Sequence, residues 1–144
     1  MPEESSGPRD IRIAESQHPY YVELTEDEAS PFYDTTKTDL CVFAMGYGFD
    51  LGVRTSIDEN TRALFNIDSL TSDQLWNIRA IAIHETEDHD ILRDRGEVFT
   101  IAREYAHGGM EHLHNNYTGP DDTFSELSKE AIEYGQERLS QNNE

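Results

Sequence analysis

The chain has 144 residues, with 30 Asp and Glu against 11 Lys and Arg, a net charge of −19, and 35% hydrophobic residues. That length holds one domain-sized core, and no apolar run approaches the roughly 20 residues that a membrane helix needs. The acid excess argues against a broad phosphate-binding surface, the single cysteine, Cys41, excludes an internal disulfide, and the polar start "MPEESSGPRD" lacks the basic and apolar regions of a secretory signal.

The expectation is therefore a cytoplasmic protein. Only Lys37 and Lys129 among its basic residues are lysine. A heavy acid load with few lysines matches a salt-adapted, halophilic surface, where molar salt shortens the screening length to about 3 Å. A basic partner and mimicry of nucleic acid as a decoy are the rival explanations.

Residues 1–10 read as a disordered acidic tail. The stretch from Ile11 starts with a β-leaning segment and passes into a short helix near 19–27, bounded by Pro19 and Pro31. In "DTTKTDLCVFAMGYGFDLG" (34–52) Thr36 and Asp39 have the spacing of a helix-opening box. The apolar run Leu40–Met45 then predicts a buried helix over 37–47, with Gly46 and Gly48 reversing the chain. Residues 53–71 form a polar connection, long for a loop, expected as either a short strand or ribbon or an irregular lid over the core.

"TSDQLWNIRAIAIHET" (71–86) is a helix capped by Thr71 or Ser72, expected as the central buried helix over 72–86. Leu75, Ile78, Arg79 and Ala82 share one sector, widened by Trp76 and Ile83. Arg79 snorkels or pairs with an acid. Asp94 and Glu97 open the next helix, over 97–115, whose apolar face collects Val98, Ile101, Ala102, Tyr105, Gly109 and Leu113. After Gly119 and Pro120, the segment 118–140 carries an amphipathic helix over 122–139, packed on the same domain and offering a dimer face; 141–144 is a tail. The fold class is mostly all-α, four to five helices in one domain over 11–117 plus the C-terminal helix.

The same periodicity puts Glu104, His107, Glu111 and His114 on the face opposite the core, where they are solvated rather than gathered round a metal. Di-iron bundles also use Glu-x-x-His, but on two helices and pointing inward. "HETEDH" (84–89) places its second histidine one residue too late for a zinc-protease helix. No nucleophile elbow, phosphate loop or Cys-x-x-Cys occurs. Gly108 and Gly109 cost a helix roughly 1 kcal/mol each against alanine. Their return is the close crossing of another helix, or else the helix ends at 108 and restarts near Met110. Cys41 reads as a small buried hydrophobe.

Three blocks, "KTDLCVFAMGYGFDLGVR" (37–54), "IRAIAIHETEDHDILRD" (78–94) and "EVFTIAREYAHGGMEHL" (97–113), resemble a family of small proteins associated with dnd systems, which carry out DNA phosphorothioation. Lys37, Asp39, Leu40, Phe43, Ala44, Gly48, Phe49, Gly52 and Arg54 carry the first likeness. Ala80, Ile81, Ala82, Glu85, Thr86 and Leu92 carry the second, and Glu104, Tyr105, Ala106 and Gly109 the third. Two positions depart from it: Glu87 stands where glycine is usual, and His107 where asparagine is common. The resemblance implies a non-enzymatic accessory protein of a phosphorothioation-linked modification or antiviral defence system. It would bind other proteins of that system, with no cofactor, no metal, no catalytic residue and no membrane. Its expected interaction surface is Lys37, Arg54, Tyr105, His107, Gly108 and Gly109. A fainter likeness to DndE implies an alternative, a binder of nicked or modified DNA using Lys37, Arg54, Arg62, Arg79, Arg93 and Arg95. A metal-dependent nuclease is the third reading.

Overall fold

A computed structural model of the chain describes residues 8–117. The expected helix over 122–139, the tail at 141–144 and most of the tail at 1–10 lie outside the described residues. Asp10 does not belong to a tail: it opens a strand. In order, the elements are β1 (Asp10–Ala14), α1 (His18–Glu26), α2 (Lys37–Leu51), β2 (Thr61–Asn66), α3 (Ser72–Thr86) and α4 (Arg95–Tyr117). Short 3-10 turns stand at Glu15–Gln17, Ile67–Ser69 and His89–Arg93. Backbone contacts divide the chain into two units, 1–111 and 112–144. The architecture below is that of the first.

The helical class and the ribbon in 53–71 are both present. The ribbon's partner is β1, antiparallel, with Asp10 opposite Asn66 and Ala14 opposite Thr61. Between Ile11 and Arg12 the register slips, leaving Leu64 as an extra residue on β2. Ile11 and Ile13 alternate inward with Arg12 outward, the period of a half-buried strand.

α2 opens as the sequence predicts: the Thr36 hydroxyl accepts the Asp39 N–H at 3.0 Å. The Asp39 carboxylate does not close the box on Thr36; it accepts from Gln74 Nε2 at 2.7 Å, tying α2 to the start of α3. The expected end near Tyr47 is wrong. The helix runs on to Leu51 and stops at Gly52, which takes the left-handed conformation (φ 72°) that glycine adopts without a steric cost. Gly46 and Gly48 are interior residues, and Gly48 is kept bare by packing. A methyl there would fall on the Tyr105 carbonyl oxygen of α4.

That contact is reciprocal. A methyl at Gly109 would strike the carbonyl oxygen of Ala44, and one at Gly108 the carbonyl oxygen of Val53, just beyond α2. α4 is continuous through the glycine pair, so the expected close crossing is found and the break at 108 is not. Val98, Phe99, Ile101, Ala102, Tyr105, Ala106 and Met110 are all buried along α4. On α2 they are matched by Leu40, Cys41, Ala44 and Met45. Burial pushes the Cys41 thiol up to about 12, against the pull of a hydrogen bond with Tyr21, so it is an inert core group.

α3 starts with a full capping box between Thr71 and Gln74. It is less central than its pattern suggests. Ile78, Ile81 and Ala82 are buried, whereas Trp76 is 58% exposed. Arg79 is half-buried and makes no ion pair among the described residues; its guanidinium reaches the exposed Trp76 ring, 5.0 Å from its centre. The deeply buried place belongs to α2 and α4.

α3 ends at Glu87, whose φ of 56° is left-handed and unfavourable for a residue with a Cβ. Glu87→Gly is expected to stabilise the fold by about 1 kcal/mol. Gly109→Ala and Gly48→Ala are expected to destabilise it by about 2–3 kcal/mol, because the obstruction is backbone and cannot rotate away. Urea denaturation of the three variants checks both signs.

Candidate functional site

The sequence blocks 37–54, 78–94 and 97–113 meet at one place. Gly52 turns the chain out of α2, the Val53 N–H bonds the Gly48 carbonyl at 3.0 Å, and the Thr55 N–H bonds the Glu104 carbonyl at 3.1 Å. This lays residues 53–55 across α4 beside Gly108 and fixes Arg54 between α3 and α4. Its Nε donates to Glu104 Oε1 at 2.7 Å and its NH1 to Glu85 Oε2 at 2.7 Å. NH2 lies 3.9 Å from Glu97 Oε2. The other Glu85 oxygen accepts from the Tyr105 hydroxyl. Phe49 walls the cluster, meeting Tyr105 edge-on at 5.4 Å and His84 at 5.9 Å.

The cluster is half-buried: the side chains of Arg54, Glu85 and Glu104 are 31%, 27% and 18% exposed. Hydrogen bonds from Tyr105, then from Arg54, hold the Glu85 carboxyl below the usual range. Burial, then the bond to Glu85, pushes the Tyr105 phenol up to about 12. Burial alone would lower the Arg54 pKa, but the hydrogen bonds to Glu104 and Glu85 outweigh it and raise it. Each of these three groups is displaced away from neutrality. A general acid or base working near pH 7 needs the opposite displacement. What this arrangement does chemically is fasten three chain segments together.

The six residues of the expected interaction surface therefore separate. Tyr105, Gly108 and Gly109 are buried inside the fold and form no free surface. Arg54 is the hub of the ion cluster, and Lys37, at the start of α2, lies 3.9 Å from Glu26. His107 is half-buried. Its carbonyl accepts from Gln17 Nε2 at 3.0 Å, and its Nδ1 is buried with no hydrogen-bond partner.

The solvated face expected for α4 holds for Glu111, which is exposed and reached by Gln17 Nε2 at 3.4 Å. It fails for Glu104, because the 53–55 turn covers that flank. His114, half-buried, lies beyond the unit boundary. Among the described residues no three His, Cys, Asp or Glu side chains converge as metal ligands. The partners of Arg54, Glu85 and Glu97, were not picked out as site residues from the sequence. Their signal was present, since Glu85 and Arg54 sit in blocks that carry the family likeness.

The cations named for DNA contact also have separate neighbours. Arg62 pairs with Glu15 at 3.3 Å, Arg95 lies over the Phe99 ring at 5.5 Å, Arg79 over Trp76, and Arg93 is exposed in the 89–93 turn.

Arg54→Met leaves three glutamates without their shared cation and is expected to cost about 2 kcal/mol, less in molar salt, where their mutual repulsion is screened. The pH dependence has two signs. Glu85 is depressed, so its contribution is present above its unfolded pKa and lost as pH falls through the folded one. Tyr105 is raised, so its contribution is present below the ordinary phenol pKa and lost as pH rises through about 12. Ultraviolet titration of Tyr105→Phe beside the parent should remove one phenol that ionises near the alkaline end.

A family model described as DNA sulphur modification system-associated protein 4 matches residues 10–144. No curated protein and no solved structure matches the chain. The match runs through the described residues, the Arg54 cluster included, and on to the last residue. The chain belongs to the family of DNA sulphur modification system-associated (dnd-associated) proteins.

Proposed function

We propose that this chain is a non-enzymatic, cytoplasmic accessory protein of a DNA sulphur modification system, acting by contact with the system's other proteins. Membership of the family associates it with such a system. The single observation that carries the non-enzymatic part is the Arg54 cluster. Arg54, Glu85, Glu104 and Tyr105 of its motif blocks are engaged with one another, and the shifts of Arg54, Glu85 and Tyr105 run away from neutral pH. Catalytic groups are shifted toward their working pH, and the shifts in this cluster run the other way.

The contact surface we assign is the outer face of α3. Trp76 is a large exposed aromatic, with the Arg79 guanidinium on its ring. Tryptophan and arginine are the residue types most often found to dominate protein interfaces. No described helix is long and apolar enough to cross a membrane. The DNA-binding alternative draws less support, since Lys37, Arg54 and Arg62 face carboxylates of this chain.

The purified chain, mixed with each purified modification protein of the same host, is expected to form a complex with at least one by calorimetry. Trp76→Ala should weaken that complex at least about tenfold while leaving the melting temperature unchanged. Failure to bind any of them, or nuclease activity of the purified chain that survives chelation and repurification, overturns the reading.

A further inference from the structure

β1 and the first turns of α4 enclose a groove of about 190 Å³, lined among others by Asp10, Arg12, Gly96, Phe99, Thr100 and Arg103. Its cations are unusual for this molecule. In a chain with 30 acidic residues, Arg103 has no carboxylate partner among the described residues, and its Nε is buried with no hydrogen-bond acceptor. No described acid neutralises this guanidinium at the groove's wall, so its charge stays available to an anion.

Arg12, on the strand side, is held by its Nε to the Thr61 hydroxyl at 3.0 Å and by its NH2 to the Thr61 carbonyl at 3.2 Å. Its NH1 has only Asp10, at 3.8 Å. Gly96 brings the start of α4 to the groove. The Asp94 carboxylate takes the Glu97 N–H there, and the Arg95 and Gly96 amides have no acceptor among the described residues. Arg95 lies over Phe99, at the groove's edge. Two arginines, the start of α4 at Gly96 and Thr100 thus line one volume. The carboxylates of Asp10 and Asp94 stand near them and are the only described acids the contacts above bring to it.

We infer that this groove is a binding site for a tetrahedral oxyanion of the phosphate class, with Arg103 and Arg12 as its charged ligands. Helix-start amides and guanidinium forks are the donors such anions take. A phosphate-class anion carries acceptor oxygens on all sides of one centre, whereas the lone pairs of a carboxylate lie in one plane. The site is distinct from the Arg54 cluster and from the α3 face, and it does not depend on the accessory role proposed above.

The test uses the full chain and titrates inorganic phosphate, thiophosphate and a short DNA duplex by calorimetry, in low-chloride buffer. The parent is expected to bind phosphate saturably. Arg103→Met, which keeps the apolar stem, should weaken it at least about tenfold, without lowering the ligand-free melting temperature, because the removed donor satisfies nothing. Arg62→Met, which removes an equal charge from the Glu15 pair, should leave it unchanged. If DNA competes with phosphate and loses affinity in Arg103→Met, the natural anion is a backbone phosphodiester; if only the free anions bind, it is a small molecule. No saturable binding of any of the three, or equal weakening by Arg62→Met, overturns the site.

Discussion

The fold rests on the approach of α4 to α2, backbone against backbone. Gly48 and Gly109 meet each other's helices at carbonyl oxygens, and Gly108 admits the carbonyl of Val53. Side-chain packing normally holds helices 8–10 Å apart. Removing the side chains on both partners lets them close further, and this has a downstream effect. It draws the chain leaving α2 down onto α4, so that Thr55 reaches the Glu104 carbonyl and Arg54 is delivered between two helices. The ion cluster is a consequence of the crossing, and a longer residue at any of the three glycines would move the arginine away from its acids.

This ordering explains why the residues carrying the family likeness look miscellaneous in sequence and coherent in space. Glycines, an aromatic, an arginine, two glutamates and a tyrosine serve one joint. Glycine permits the approach, Phe49 fills the gap beside Tyr105, and the charges lock the result. Such a joint fixes the shape of the described domain, because its polar side chains are engaged with one another.

Local signals were legible where local physics decides. Thr36 and Thr71 cap their helices through their own hydroxyls, and the inward stripe of α4 follows from periodicity alone. The misreadings arise where distant segments intervene. Gly46 and Gly48 look like stops because glycine is a poor helix former, but packing against α4 outweighs that preference. Glu104 lies on the outer side of the helical wheel, yet a turn from elsewhere in the chain covers it. The α3 pattern suggested burial on most sides, and Trp76 is left in solvent because no described element packs on it. The Arg12–Arg103 groove joins a strand and a helix from opposite ends of the domain, and no spacing rule connects them.

The bonds that Arg54 makes reach 31 and 50 residues along the chain. Contacts of that separation close large loops, and the entropy of closure is met before the contacts reward it. The cluster therefore works as a tie between distant stretches of the chain: when the arginine lets go, two long loops gain their freedom together.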